Sequence, residues 1–337
     1  MTAFRVAHST AEWASLVGSE KRAVVSVGNF DGLHLGHQEI LQRIVERARR
    51  DKSIAAAITF DPHPMKVLRP ESAPALIMTL AQRLKGFERV GLDAALVLHF
   101  DEALARVSAE DFVRTVLVET VHARAIMTGA NFRYGYKNAG DVALLKKLGV
   151  QYSIAVEIVP PAEVDGKLVS SSAIRQAVAE GRPEEAAALL GRPFTLTGTV
   201  QKGAGRGSKI LFPTLNLAPA QELLPARGVY ATETVIGGGM YRSVTNAGVR
   251  PTFDGQSLSI ESHLLHFPND KTFPKDETLS ADKTLVADRT GETMEVRFWK
   301  RLREERKFPD ADALRAQIAL DIEAAKAFFA HQGQPTS

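Results

Sequence analysis

Cysteine is missing altogether from the 337 residues. A disulfide framework and thiol catalysis are thereby excluded, and a reducing, cytoplasmic setting is expected. Long apolar runs are missing too, so no membrane span is expected. Met1 to Val17 shows neither a cationic start followed by an apolar block nor a cleavage-like site, so no secretion leader is expected either. Charge of one sign is never concentrated: in Lys300-Arg301-Leu302-Arg303-Glu304-Glu305-Arg306-Lys307 acids interrupt bases, and the net charge is only +3. Such a mixture suits anionic small ligands and gives little support to a nucleic-acid partner. Internal repeats and low-complexity tracts are absent.

What remains is ordinary globular material, with 45% hydrophobic and 24% charged residues. The length suits two domains, each with its own core. The character of the chain changes around Gly191-Arg192-Pro193, which predicts domains at 1–188 and 189–337. The sequence specifies no oligomeric state.

One stretch near the start organises the first domain: Val27-Gly28-Asn29-Phe30-Asp31-Gly32-Leu33-His34-Leu35-Gly36-His37. Ala23 to Val27 before it is short, apolar and β-branched, as a buried strand is. Ile40, Leu41, Ile44, Val45 and Ala48 after it recur at helical spacing. A glycine-rich turn between a strand and a helix start offers unpaired N–H groups and a positive dipole end, a place for phosphate. His34 and His37 could add donors. Capping or surface histidines are the plain alternative. Zinc is disfavoured because no cysteine and no third ligand at a familiar spacing accompany them. The glycine spacing is neither a dinucleotide fingerprint nor a Walker A loop.

Strand-like and helix-like segments then alternate: strands at Ile54–Phe60, Ala94–Phe100, Ala125–Thr128 and Tyr152–Val159. Helices start at Thr79 (a capping box with Gln82), at Ser108 and at Asp141, the last ending at Gly149. This alternation predicts a parallel sheet with helices on its faces and ligands at the carboxyl ends of its strands. Three loops fall there. Thr59-Phe60-Asp61-Pro62-His63-Pro64 is stiffened by prolines and holds His63 in a fixed direction, or is simply a turn. Gly129 to Gly135 carries Asn131, Phe132 and Arg133, able to stack on a planar ring and bond its edge, or is an ordinary loop. Ser170-Ser171-Ser172-Ala173-Ile174-Arg175 opens a helix ending at Gly181. Its serines suit caps, and with Arg175 one turn in they could instead form a phosphate clamp.

Together these segments resemble the bifunctional riboflavin kinase/FAD synthetase family. The Gly28–His37 stretch is similar to its nucleotidylyltransferase signature, Thr59–Pro64 to its T-F-D-P-H-P segment, Gly129–Gly135 to its flavin-side loop, and Ser170–Arg175 to its S-S-T-x-I-R signature with Ser172 in place of threonine. The resemblance implies ATP binding by Gly28, Phe30, Asp31, Gly32, His34, His37, Ser171, Ser172 and Arg175. It implies flavin binding by His63, Asn131, Phe132 and Arg133, with FMN and ATP giving FAD and pyrophosphate.

Beyond Gly191 short strands and glycine or proline turns (Phe194–Val200, Val229–Val235, Tyr241–Val249, Val296–Phe298) predict a small antiparallel barrel. Gly203 to Lys209 is no P-loop, because lysine and hydroxyl stand in the wrong order and no helix follows. Thr214 and Asn216 share a strand face: two neutral oxygens suited to Mg²⁺ with nucleotide phosphates, or a solvated face. Glu261 lies on the face opposite Ile260 and Leu264, as a general base or as the wet side of a strand. An RNA-binding barrel would need an aromatic and basic stripe, which is missing. Asp310 to Phe329 reads as an amphipathic helix packed on the barrel, and Gln332 to Ser337 as a frayed tail.

These segments resemble the riboflavin kinase barrel of the same family, through F-P-T-x-N at Phe212–Asn216, Gly228–Ala231, Asn246–Phe253 and Glu261–Leu265. The resemblance implies that riboflavin becomes FMN at the expense of ATP. Glu261 would be the base, Thr214 and Asn216 the Mg²⁺ and phosphate ligands, and Gly205, Gly207, Lys209, Phe212 and Pro213 part of the ATP and flavin site. Leu211 stands where the family commonly has glycine, and Pro268 to Gly291 exceeds its usual hairpin. A single-activity enzyme with a degenerate barrel is the alternative these departures raise.

Overall fold

The computed structural model describes residues 3–18, 22–202, 214–252, 255–265 and 289–332. Contacts divide the chain into two units, Met1–Ser171 and Ser172–Ser337.

The first unit is built on a six-stranded parallel sheet. Its strands are β1 (Arg5–Ala7), β2 (Ala23–Val27), β3 (Ile54–Asp61), β4 (Ala94–His99), β5 (Ala123–Gly129) and β6 (Ala155–Val159), in the spatial order β1-β4-β3-β2-β5-β6. β2 is buried along its whole length, as a central parallel strand covered on both faces must be. Alternate residues of β3 face different cores: Ile54, Ala56 and Ile58 one, Ala55 and Ala57 the other. The helices between strands are α1 (Thr10–Val17), α2 (Leu35–Asp51), α3 (Pro64–Leu68), α4 (Leu80–Val90), α5 (Glu102–Ala105), α6 (Ala109–Phe112) and α7 (Val142–Tyr152). The capping box at Thr79 forms in full, and Ser108 and Asp141 cap their helices.

Three features differ from the sequence expectation. β1 is a three-residue edge strand, too short to carry a period. The helix after Phe112 widens into a π-helix, Val113–Thr120. Lastly, α7 runs past Gly149 to Tyr152, so β6 begins only at Ala155. Gly149 is there for space: a Cβ would stand 2.7 Å from the Ile154 carbonyl oxygen and from Val156 Cγ2, where the chain turns back.

A two-stranded antiparallel ribbon, β7 (Glu163–Val164) and β8 (Lys167–Leu168), follows β6 in the first unit. In the second unit, α8 (Ser171–Ala179, begun at the division) and α9 (Pro183–Leu190) lead into a closed antiparallel barrel. Its strands are β9 (Phe194–Gln201), β10 (Leu215–Pro219), β11 (Gly228–Ile236), β12 (Gly239–Thr252), β13 (Gly255–Leu264) and β14 (Thr293–Arg303), paired in the order β10-β13-β12-β11-β14-β9. Leu196, Leu217, Tyr230, Ile260, Val296 and Phe298 are fully buried in it. So are the hydroxyls of Thr232, Thr234, Ser243, Thr245 and Ser262, which bond one another at 2.6 to 2.8 Å from β11 to β13.

The final helix, α10 (Ala311–Gln332), lays Ala325 and Phe329 on Val229, Ala231, Val244 and Leu265. Arg303 fixes it with a bidentate fork to Asp321 at 2.8 to 3.1 Å, the carboxylate being 4% exposed. Replacing Asp321 by alanine leaves the guanidinium without its anion. The expected cost is about 3 kcal/mol, the low end for a broken buried pair because Arg303 is partly solvated, read as a lower urea midpoint.

Candidate active site

β2 ends at Val27, and the chain must then reverse within a few residues to start α2. Phe30 (φ +50°), Gly32 (φ +89°) and Leu33 (φ +42°) make that reversal in the left-handed region. For Phe30 and Leu33 this costs about 1 kcal/mol or more each. Their burial, to 2% and 4% exposure, offsets it at about 2 kcal/mol or more per side chain. Gly86 of α4 leaves room for Leu33, since a Cβ there would stand 2.1 Å from Leu33 Cδ1.

His34 caps α2 by accepting the His37 N–H at Nδ1, at 3.3 Å. Accepting there assigns the ring proton of His34 to Nε2. The two imidazoles stack with centroids 3.6 Å apart and planes 16° apart, and the Phe30 ring meets His37 edge-on. His37 Nδ1 is sealed from solvent without a hydrogen bond. Burial first, then the His34 and Arg83 charges, push the His37 imidazole well below its ordinary value of 6.5. It is neutral at pH 7.

The Asp31 carboxylate is turned inward, 2% exposed, and accepts the Ile77 and Met78 N–H groups at 3.1 to 3.2 Å. Its carbonyl accepts the Ser171 hydroxyl at 2.8 Å. Among its residues, the first unit thus brings His34, His37, Asp31 and Ser171 to one turn. Ser172 and Arg175 follow along α8, beyond the division of the units. Because β3, β2 and β5 are adjacent and parallel, the loops after them share this edge of the sheet. After β3, His63 caps α3, its Nδ1 accepting the Met65 N–H at 3.2 Å. After β5, Asn131 is exposed and Arg133 faces Asp141 at 3.6 Å, while Phe132 stacks on Tyr134 with centroids 5.3 Å apart. Burial, helped by Glu110 and Asp141, pushes the Tyr134 phenol up to about 12.

Sequence reasoning missed Arg83. It stands on the apolar stripe of α4 with Leu80, Leu84 and Phe87, is 1% exposed, and donates from Nη1 to Thr59 Oγ1 at 2.8 Å and to the Phe60 carbonyl at 3.0 Å. Thr59 in turn donates to the Asn29 carbonyl at 3.4 Å. A cation on an otherwise apolar face was the available signal.

In the barrel, cross-strand register sets Asn216 of β10 opposite Glu261 of β13, and Glu261 opposite Asn246 of β12. Directly paired residues share a face, and Ile260 and Leu264 take the other, fully buried one. Asn246 is therefore a neighbour of Glu261 that sequence reasoning quoted in a motif without giving it a role. Thr214 precedes β10 by one residue. Gly205, Gly207, Lys209, Leu211, Phe212 and Pro213 lie outside the described residues, as does most of the segment 268–291.

Residues 17–173 match the FAD synthetase family and residues 190–329 the Riboflavin kinase family. A bifunctional riboflavin kinase/FMN adenylyltransferase from Pseudomonas fluorescens is 35% identical over 308 residues, 91% of this chain and 93% of that protein. The protein of the same name from Escherichia coli K12 is 32% identical over 311 residues, 92% of this chain and 94% of its own. This chain belongs to the bifunctional riboflavin kinase/FMN adenylyltransferase family.

Within that family the two matched regions fall on either side of most of α8 and α9. The crystal structure of a protein described as a macrolide-efflux protein from Streptococcus pneumoniae has the same fold, with a TM-score of 0.80 at 29% identity, covering 96% of this chain and 98% of that one. Efflux is named for that protein; here no helix of the described residues is long and apolar enough to cross a membrane.

Asp31→Ala should leave the buried Ile77 and Met78 amides without acceptors, at about 1–3 kcal/mol for each unsatisfied group. A lower melting temperature and early hydrogen exchange at residues 77 and 78 are expected.

Proposed function

We propose that this chain makes FAD in two ATP-dependent steps, riboflavin to FMN at the barrel and FMN to FAD at the edge of the parallel sheet. Residues 1–188 are assigned to adenylylation and 189–337 to phosphorylation. The observation that carries the reading is the pair of stacked imidazoles held at a helix start where a strand of the sheet ends.

In adenylylation the FMN phosphate is itself the nucleophile. One of its oxygens forms a bond to the α-phosphorus of ATP, the α–β bridge breaks, and pyrophosphate leaves. No proton needs removal, so the protein supplies position and positive potential. His34 offers its Nε2–H to the triphosphate, and His37 joins it. The amides of Gly28 to Gly32 and the Ser171 hydroxyl complete the turn's share of the cradle, and Ser172 and Arg175 are assigned to ATP through the resemblance of their motif. His63, Asn131, Phe132 and Arg133 face the flavin, where ring stacking and a guanidinium suit a planar heterocycle.

In phosphorylation Glu261 takes the proton of the ribityl hydroxyl as its oxygen bonds to the γ-phosphorus and ADP departs. Asn216 and Thr214 offer neutral oxygens beside that carboxylate, a donor set that fits Mg²⁺ arriving with nucleotide phosphates. Bound there, the ion would neutralise charge on the transferring group. Gly205, Gly207, Lys209, Phe212 and Pro213 are assigned to the same ATP and flavin site. The absence of cysteine supports a cytoplasmic setting, and small molecules are its partners, with neither nucleic acid nor membrane.

Product analysis on riboflavin, ATP and Mg²⁺ tests the reading: FMN followed by FAD is expected, and FAD formation failing with supplied FMN would refute the adenylylation half. Glu261→Gln should cut FMN formation by about 10²-fold or more while supplied FMN is still adenylylated. His37→Asn should do the reverse, cutting FAD formation by about 10²-fold. A chelator of Mg²⁺ should stop phosphorylation.

A further inference from the structure

Arg83 is the least solvated cation near the histidine turn, and it is charged at any working pH. Burying a guanidinium is expensive unless an anion accompanies it. Here the polar contacts go to the Thr59 hydroxyl and the Phe60 carbonyl, and Nε has no partner. Asp31 and Asp61 favour the charge from farther off, but the Asp31 oxygens are already committed to the Ile77 and Met78 amides. The group is sealed inside, so it cannot touch a ligand. After burial, which comes first, the positive charge of Arg83 helps hold the His37 imidazole below its ordinary value. Through Thr59 it is also linked to the Asn29 carbonyl of the turn itself.

We infer that Arg83 is a positioning residue of adenylyl transfer, a buried positive charge tied through Thr59 to the turn that would take the triphosphate of ATP. This deepens the reading of the turn given above and rests on it. Before nucleotide arrives, the cation disfavours a proton on His37, which stays neutral. A triphosphate laid across the turn satisfies Arg83 through space and favours a proton on His37. An arginine suits this post better than a lysine, which would lose its proton when buried.

The test compares Arg83→Gln with Arg83→Met in the full chain. Glutamine keeps an N–H donor for Thr59 and Phe60 and removes the charge; methionine removes both. If the charge matters, both lower kcat/KM for ATP in FAD formation, by about 30-fold, and both raise the His37 midpoint seen by NMR titration of its ring. If Arg83 merely ties Thr59 to Phe60, Arg83→Gln behaves as the parent in both readouts, and the inference is overturned. The unaltered protein gives a measurement that no folding defect can spoil. Its His37 should titrate well below the ordinary 6.5, and an ATP analogue with an uncleavable α–β bridge should move that midpoint upward. A midpoint near the unperturbed 6.5 that ignores the analogue also overturns the inference. His37→Asn separates the two levels: full FAD formation there removes the reading of the turn, whereas its loss beside parent-like Arg83→Gln removes only the role of Arg83.

Discussion

The hydrogen bond from the His37 amide to the His34 imidazole governs the turn between β2 and α2. It satisfies one of the open amides that begin a helix, and in doing so it fixes the tautomer of His34 and lays the rings face to face. A side chain that would otherwise sample several rotamers becomes part of the helix start. The Nε2 edge of the ring is therefore aimed by backbone geometry. This explains why the left-handed residues Phe30 and Leu33 are tolerated just before it: they carry strain so that the cap can form, and their own burial compensates.

Around that turn, polar side chains do the tying. Asp31 reaches forward to residues 77 and 78, Ser171 reaches back to Asp31, and Arg83 reaches across to Thr59 and Phe60. Segments far apart in sequence are held by charged or hydroxyl groups where apolar packing alone would leave them free to slide. Asp31 serves here by organising the backbone, with both carboxylate oxygens occupied by amides.

Much of this was legible beforehand, for physical reasons that can be named. β2, β3 and β4 are continuous apolar runs because a central parallel strand is covered on both faces, and their boundaries follow from that. The capping box at Thr79 and the caps at Ser108 and Asp141 are local chemistry and so are visible locally. Glu261 could be set on the face opposite Ile260 by alternation alone. What could not be read is non-local. Nothing near Gly149 announces that Ile154 will pass over it, and Arg83, though its place on an apolar stripe is visible, does not show which strand ends it serves. The pairing of Asn246 with Glu261 is likewise a product of register between strands.

The hydroxyls inside the barrel bear on the Glu261 site although none of them reaches it. Thr232, Thr234, Ser243, Thr245 and Ser262 form a zip that engages with one alignment of β11, β12 and β13. Sliding β13 by a single residue would strand Ser262, swing Ile260 into water and drive the Glu261 carboxylate into the lumen. A greasy lining would resist that slip less, since one methyl substitutes for another at small cost. The barrel thus spends its interior on a code of matched oxygens, and what the code protects is the address of an acid on its outside.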